Sequence, residues 1–460
     1  MGRIFGTDGA RGVANTEISC KLAMDVGRAA AMVVAERIAK KPVFIIGCDT
    51  RISSGMLESA LSAGLCSVGA DVIIAGVLPT PAISYLVTNK HADAGIMLSA
   101  SHNPYEFNGI KIFGPDGYKL TDAEEFEIEE IVLDKIKPYS IRWGWEVGRI
   151  SRQDDLAGHY IDYIAGTAPN GLEGLKIALD CSNGSASATA GKLFTKLGAD
   201  IDVLNASPNG VNINRDCGSM HVENLAEYVK NGDFDAGIAF DGDADRVIAV
   251  DETGGVINGD VIMAILGLDL KKQGKLKNDT IVATVMSNLG LFKFGEENGV
   301  IIEKAKVGDR YVLEMMRKKG YCLGGEQSGH IIFSEFMMTG DGQLSAIQLL
   351  SALKKSGKKL SELGRIMTQY PQMMKNIHAD PVMKKNLATD KAVAAMIDEA
   401  EKKLGGDGRV LVRASGTEPI IRVMIEGKDK DEIASLLDEL TEKIEERLSD
   451  NEDCKRMAGL

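Results

Sequence analysis

Ala94-Gly95-Ile96-Met97-Leu98, running straight into Ser99-Ala100-Ser101-His102-Asn103-Pro104, is the stretch that decides the fold. Five apolar positions give way abruptly to small and polar ones, and Pro104 then fixes φ and removes an N–H. The pattern predicts a buried strand delivering a rigid loop at its carboxyl end, where open α/β sheets place their ligands. Ser101 stands among small, polar and ring-constrained neighbours, so its hydroxyl is placed to be a nucleophile once something activates it. His102 is adjacent in sequence, which points two side chains apart, so no Ser-His pair is expected. Asn108-Gly109-Ile110-Lys111-Ile112-Phe113 reads as a short strand that brings Lys111 back towards the loop.

Outward from this stretch, strands alternate with helices. Towards the N-terminus lie a helix over about 20–39, a strand Val43–Gly47 ending in Asp49-Thr50-Arg51, a helix over about 55–68 and a strand Val72–Ala75. Alternation at this spacing predicts a parallel, doubly wound sheet. A polar segment from Thr121 to Arg152 reads as the close of this domain and a link to the next. A second α/β unit begins at Leu175–Asp180 and carries Ala236–Phe240 into Asp241-Gly242-Asp243-Ala244-Asp245-Arg246. A third begins with a helix near Asp260 and reaches Gly324-Gly325-Glu326-Gln327-Ser328-Gly329-His330. A fourth, from about Pro371, reads as helix, strand, loop, strand, helix, and therefore as α+β. The predicted fold class is three successive doubly wound α/β domains plus a C-terminal α+β domain around a central cleft, with boundaries 1–152, 153–255, 256–370 and 371–460.

Composition agrees. The chain has 460 residues, roughly three or four domains' worth, and its 44% hydrophobic and 26% charged residues are ordinary for a globular protein. No apolar run approaches the ~20 residues that cross a bilayer, and the N-terminus has no apolar signal core. Seven scattered cysteines without a C-x-x-C pair fit a reducing cytoplasm and argue against zinc or a disulfide framework. A net charge of −13 disfavours nucleic acid. Isolated basic residues in glycine-rich loops, such as Arg11 within Gly6-Thr7-Asp8-Gly9-Ala10-Arg11-Gly12, then become informative.

The acidic loop is the clearest chemical signal. Asp241, Asp243 and Asp245 alternate, so an extended loop would set them on one side, and three crowded carboxylates invite a hard cation such as Mg²⁺. An EF-hand fails because its sixth position is Arg246 rather than glycine. A phosphatase-type loop, with Asp241 as nucleophile and Asp243 as acid/base, remains a rival. In the last unit Arg413, Ser415, Gly416, Thr417 and Arg422 would make a phosphate cradle of guanidiniums, hydroxyls and backbone N–H groups. Glu326, Ser328 and His330 between glycines can bind sugar hydroxyls.

Taken together, Phe5–Gly12, Ser99–Pro104 with Asn108–Phe113, Phe240–Val247, Gly325–His330 and Arg413–Pro419 resemble, in order and over the whole chain, the α-D-phosphohexomutase superfamily. Gln327, Val307-Gly308-Asp309-Arg310-Tyr311-Val312 and Pro208–Ser219 are similar to its phosphoglucosamine mutase branch, and Ala244 departs from the glycine common there. The resemblance implies a mutase interconverting glucosamine 6-phosphate and glucosamine 1-phosphate for UDP-N-acetylglucosamine synthesis. It implies a phosphoserine at Ser101 and one Mg²⁺ held by Ser101, Asp241, Asp243 and Asp245. Lys111 and His102 would lie by the transferred phosphate, with Lys111 as general acid or base, and Arg11 and Arg246 would assist there. Glu326, Gln327 and Ser328, with Arg246, would bind substrate, and the cradle the phosphate that is not reacting. A bisphosphorylated hexosamine would be primer and intermediate. The partners implied are hexosamine phosphates, with no nucleic acid or membrane, and a homodimer is allowed. The alternative within the superfamily is a phosphomannomutase/phosphoglucomutase.

Overall fold

The computed structural model describes residues 2–6, 8–38, 40–153, 155–415 and 419–449. Its first sheet has seven strands: β1 (Phe5–Gly6), β2 (Gly9–Val13), β3 (Val43–Cys48), β4 (Asp71–Val77), β5 (Ala94–Leu98), β6 (Phe107–Phe113) and β7 (Ile150–Arg152). Their order is β1-β2-β6-β5-β3-β4-β7. Along β3 and β5 the period of two sorts side chains to opposite faces. Phe44, Ile46, Ile96 and Leu98 pack with Leu57, Leu61 and Leu65 of the helix Ser54–Ser67 and with the alanine-rich helix Cys20–Ala35. Ser19 caps that second helix by accepting the Leu22 N–H. On the other face Gly47 and Gly95 let the helix Thr80–Asn89 approach, since a Cβ at either would lie 2.4 Å from Ile83 or Val87.

The second sheet contains β8 (Lys176–Asp180), β9 (Asp200–Leu204), β10 (Ala236–Phe240), β11 (Val247–Asp251) and β12 (Val256–Ile257), in the order β12-β11-β10-β8-β9. The third contains β13 (Thr280–Thr284), β14 (Ile301–Ala305), β15 (Leu323–Gly325) and β16 (Ile331–Phe333), in the order β14-β13-β15-β16. The fourth is antiparallel, β17 (Gln372–His378) and β18 (Arg409–Ala414) flanking β19 (Ile420–Glu426). The chain forms two compact units, Met1–Ser287 with Asn298–Ile366, and Asn288–Glu297 with Met367–Leu460.

Three expectations change. The α/β sheets are mixed rather than purely parallel. β5 passes to β6, β10 to β11 and β15 to β16 through loops too short for a crossover helix, so each returning strand runs antiparallel. The fourth unit opens on a strand, because Gln372–His378 pairs residue by residue with Ile420–Glu426, a partner that no local pattern announces. The segment 121–152 is more than a link. Thr121 and Glu124 form a capping box for the helix Asp122–Glu129, Ile128 and Ile131 enter the first core, and β7 extends the first sheet beside β4.

Candidate active site

The loops between β5 and β6 and between β10 and β11 meet. Ser101 is buried and left-handed, with φ 52°, and its Oγ donates to Asp241 Oδ2 at 2.6 Å. The same turn swings Oγ to 3.4 Å from His102 Nδ1, closer than adjacent residues in extended backbone allow, which corrects the expectation that they point apart. His102 is nevertheless no base for Ser101. Arg246 Nη1 lies 3.1 Å from the same Nδ1, and burial, then Arg246 and Arg11, push the imidazole down to about 4.

The Ser101 loop is clamped from below. Buried Arg51 donates to the carbonyls of Ser101 at 2.9 Å, Asn103 at 2.8 Å and Phe107 at 3.0 Å, and also to that of Pro104. Asp49 holds the Arg51 Nε at 2.8 Å and accepts the Ser99 hydroxyl at 2.6 Å, while the Ser101 N–H donates to Ser99 Oγ at 2.9 Å. Asn214 Nδ2 adds further bonds to the Ser101 and Asn103 carbonyls at 2.9 and 3.1 Å. Gly242 belongs to the same contact, since a Cβ there would sit 2.6 Å from the Ser101 carbonyl oxygen.

The acidic loop is a tight turn rather than an extended run, with Ala244 left-handed at φ 55° and its N–H on the Asp241 carbonyl. That turn gathers one oxygen from each of Asp241, Asp243 and Asp245 within 4.8 Å of one another. Lys111, on β6, reaches them from the first sheet, at 2.8 Å from Asp243 Oδ2 and 3.3 Å from Asp245 Oδ2. Thr80 donates to Asp243 Oδ2 at 2.5 Å. Burial, followed by Asp245 and Asp243, pushes the Asp241 carboxyl well above the usual range. Asp245 is held well below it, because Lys111 and His330 outweigh its burial. Lys111 is itself driven well above its usual value, its burial outweighed by Asp243, Asp8 and Asp245, and so stands as an ammonium.

Three buried carboxylates crowded within 4.8 Å of one another repel, an arrangement that fits a hard divalent cation. Asp243 Oδ1 is buried without a hydrogen-bond partner among the described residues, an oxygen such a cation would take up. Beside them, Arg11 Nε and Arg246 Nε are buried donors without an acceptor among the described residues, as the edge of an anion site would supply.

From the third sheet, the turn between β15 and β16 carries Glu326, whose Oε1 accepts the Gly308 N–H at 3.1 Å. Glu326 lies near enough to raise the Arg246 guanidinium, and the backbones of Arg246 and His330 pair antiparallel in an isolated β-bridge. Gln327 is half-buried and Ser328 exposed at the tip of that turn. In the C-terminal unit Arg413 and Arg422 are direct cross-strand partners, and Lys384 Nζ donates to the Ser415 carbonyl at 2.8 Å. Gly416 and Thr417 lie outside the described residues.

The phosphoglucomutase/phosphomannomutase family model matches in four consecutive parts: alpha/beta/alpha domain I over residues 2–138, domain II over 158–255, domain III over 258–370, and the C-terminal domain over 374–443. The phosphoglucosamine mutase of Acetivibrio thermocellus is 53% identical over 448 residues, covering 97% of this chain and 100% of that one. The chain belongs to the phosphoglucomutase/phosphomannomutase family. The phosphoglucosamine mutase of Ruminiclostridium cellulolyticum is 52% identical, covering 98% of this chain and 100% of its own. A family protein of known structure from Burkholderia thailandensis shares the fold, with a TM-score of 0.83 at 24% identity over 97% of this chain and 98% of that one.

Arg51, Asp49 and Asn214, which hold the Ser101 loop, and Thr80, which holds Asp243, carry no motif that marks them as site residues. The signal was present in part. Asp49-Thr50-Arg51 is a charged triplet at the carboxyl end of a buried strand, and Asn214 closes the turn-rich insert beginning at Pro208.

Proposed function

We propose that this chain interconverts glucosamine 6-phosphate and glucosamine 1-phosphate as an intramolecular phosphotransferase, with a phosphoserine at Ser101 and a bisphosphorylated sugar as intermediate. The observation that carries the reading is the 2.6 Å contact between Ser101 Oγ and Asp241. It sets a hydroxyl against three carboxylates in a chain whose full-length relatives include phosphoglucosamine mutases.

Asp241, Asp243 and Asp245, with an oxygen on Ser101, would hold one Mg²⁺. Bound there, the ion offsets charge on the transferring phosphoryl group. The chain's own groups do the rest. A hydroxyl of the sugar forms the new O–P bond as the bond from phosphorus to Ser101 Oγ breaks, and in net balance the hydroxyl's proton ends on that Oγ. The return step reverses this with the sugar's other phosphate and leaves Ser101 phosphorylated again. Lys111, held as an ammonium by its carboxylate neighbours, keeps its proton and serves as a positive charge and N–H donor at the transferred phosphate rather than as a base. Arg11 and Arg246 supply N–H donors to the phosphoryl oxygens, and neutral His102 packs beside Ser101.

Glu326, with Gln327 and Ser328, receives the sugar. A carboxylate favours the C2 ammonium of glucosamine over a neutral hydroxyl, since charge-assisted hydrogen bonds are about twice as strong as neutral ones. In the C-terminal unit Arg413, Ser415 and Arg422, with Gly416 and Thr417, are assigned the phosphate that is not reacting. The division of labour follows 1–152 for the phosphoserine, 153–255 for the metal, 256–370 for the sugar and 371–460 for the second phosphate. No helix among the described residues is long and apolar enough to cross a membrane. The free thiols at six described cysteines suit the cytoplasm.

Kinetics on glucosamine, mannose and glucose 6-phosphates, each primed with its bisphosphate, test the substrate. The expected kcat/KM for the amino sugar is at least about tenfold higher, ~1.4 kcal/mol. Equal or reversed preference would move the chain to the phosphomannomutase/phosphoglucomutase reading.

A further inference from the structure

The turn Gly308-Asp309-Arg310, at the start of the helix Asp309–Lys319, gives its Gly308 N–H to Glu326, while its two charged side chains are committed to one segment of the first domain. Asp309 pairs with Lys119, and Arg310 pairs with Glu125 at 2.8 Å and with Asp122. Lys119 in turn pairs with Asp8, and Asp8 Oδ2 lies 3.0 Å from Lys111 Nζ. Lys111 then reaches Asp243 and Asp245. The result is a continuous line of alternating charge, Asp309–Lys119–Asp8–Lys111–Asp243, within one compact unit. Lys111 is buried and Lys119 largely so, with side-chain exposures of 0% and 9%. At the far end Asp309 Oδ2 also lies 3.8 Å from His330 Nε2, but that nitrogen accepts the Gly340 N–H at 3.2 Å, so the Lys119 contact is the one that holds Asp309.

We infer that Lys119 and Asp309 are positioning residues, which set where the Lys111 ammonium stands between Asp8 and the metal-binding carboxylates. Asp8 is shared by Lys111, Lys119 and Arg11. With Lys119 in place, Asp8 cannot keep Lys111 to itself, and the ammonium is left leaning on Asp243. With Lys119 released, Asp8 draws Lys111 back, away from both the carboxylates and the transferring phosphoryl group. Asp309 keeps Lys119 from folding wholly onto Asp8, and so tunes the division. The inference rests on the mutase reading for its catalytic consequence, but not for its effect on the metal.

The test is the charge-neutral double variant Lys119→Met/Asp309→Asn. Losing one charge of each sign cancels long-range field effects, and replacing both partners of a largely buried pair spares the fold the uncompensated charge that a single change would leave. Manganese binding is titrated by electron paramagnetic resonance on phosphatase-treated, metal-free protein, and kcat, KM and Tm are measured beside it. The expected results are Mn²⁺ bound at least threefold more tightly, kcat down at least tenfold, KM within threefold and Tm within a few degrees. The conservative variants Lys119→Arg and Asp309→Glu should keep kcat within threefold of wild type. A double variant with wild-type kcat and wild-type Mn²⁺ affinity would overturn the inference. So would an activity loss that follows a fallen Tm and a raised KM with Mn²⁺ affinity unmoved. Were the wild-type protein inactive on every hexose phosphate, the mutase reading would fall, while the Mn²⁺ titration would still decide the role of the pair.

Discussion

The Ser101 loop and the Asp241–Asp245 loop occupy the same topological place, each joining a fully buried strand to an antiparallel neighbour, and each bends through a left-handed non-glycine residue. They are held in opposite ways. The first is satisfied internally: Arg51 and Asn214 take up its carbonyls, so its shape needs nothing from outside. The second concentrates three carboxylates and satisfies them incompletely, with the Lys111 ammonium as the main counter-charge. One loop is a rigid mount for a hydroxyl. The other is an electrostatic deficit that a cation and a phosphoryl group together would relieve.

The largest effect should come from Ser101→Ala, which removes the mounted group and leaves the deficit untouched. Turnover is expected to fall by roughly a thousandfold or more, as for loss of a nucleophile elsewhere, while the three carboxylates still bind metal, more weakly without the Ser101 oxygen. Ser99→Ala is the control, because Ser99 Oγ is engaged by Asp49 and the Ser101 N–H. An active Ser101→Ala beside a dead Ser99→Ala would reassign the nucleophile.

Arg51→Met attacks the mount itself. It strands buried Asp49 without its cation and takes a donor from four carbonyls, of which only those of Ser101 and Asn103 keep Asn214, so denaturant unfolding should show a loss of about 3–5 kcal/mol. Asp243→Asn, by contrast, should cost metal affinity while sparing stability, since it lowers the crowded negative charge. Equal destabilisation by the two variants would erase the distinction between the loops.

The pH dependence of stability sharpens the same contrast at His102. Its pKa is depressed to about 4 in the fold, so the unfolded chain, ordinary near 6.5, binds the proton more readily, and stability is lost as pH falls from 6.5 towards 4. Dephosphorylated, chelated wild type should therefore lose about 2 kcal/mol more than His102→Gln between pH 8 and pH 5. Identical losses in the two proteins would show that His102 titrates normally.

The smallest effect belongs to Ala244→Gly. A left-handed alanine carries a strain of about 1–2 kcal/mol that glycine lacks, partly offset by glycine's freer unfolded chain and by a lost buried methyl. Stability should rise by up to about 1 kcal/mol with activity unchanged. A clear loss would mean that the methyl's packing, rather than the turn, sets this position.

These loops also mark how far the sequence could be read. The strands ahead of Ser101 and Asp241 and the residue types within the loops were plain, because burial and small-residue turns leave local patterns. What depends on partners far along the chain was not. The fifty-odd residues between Arg51 and the carbonyls it clamps, and the 190 between Lys119 and Asp309, carry no periodicity. The strand Gln372–His378 alternates too weakly to declare itself without Ile420–Glu426 beside it. The left-handed turns at Ser101 and Ala244 were equally hidden, since neither residue is the glycine that would have signalled them.

The central claim is that phosphorus rests on Ser101 and passes from there to the sugar. It is tested most directly by loading the protein with ³²P from labelled hexosamine bisphosphate, mapping the label, and chasing with unlabelled glucosamine 6-phosphate. The account predicts an acid-stable label on the peptide containing Ser101 that moves to sugar phosphate during the chase. An acid-labile label on the peptide containing Asp241, or a Ser101 label that the chase does not remove, would contradict it.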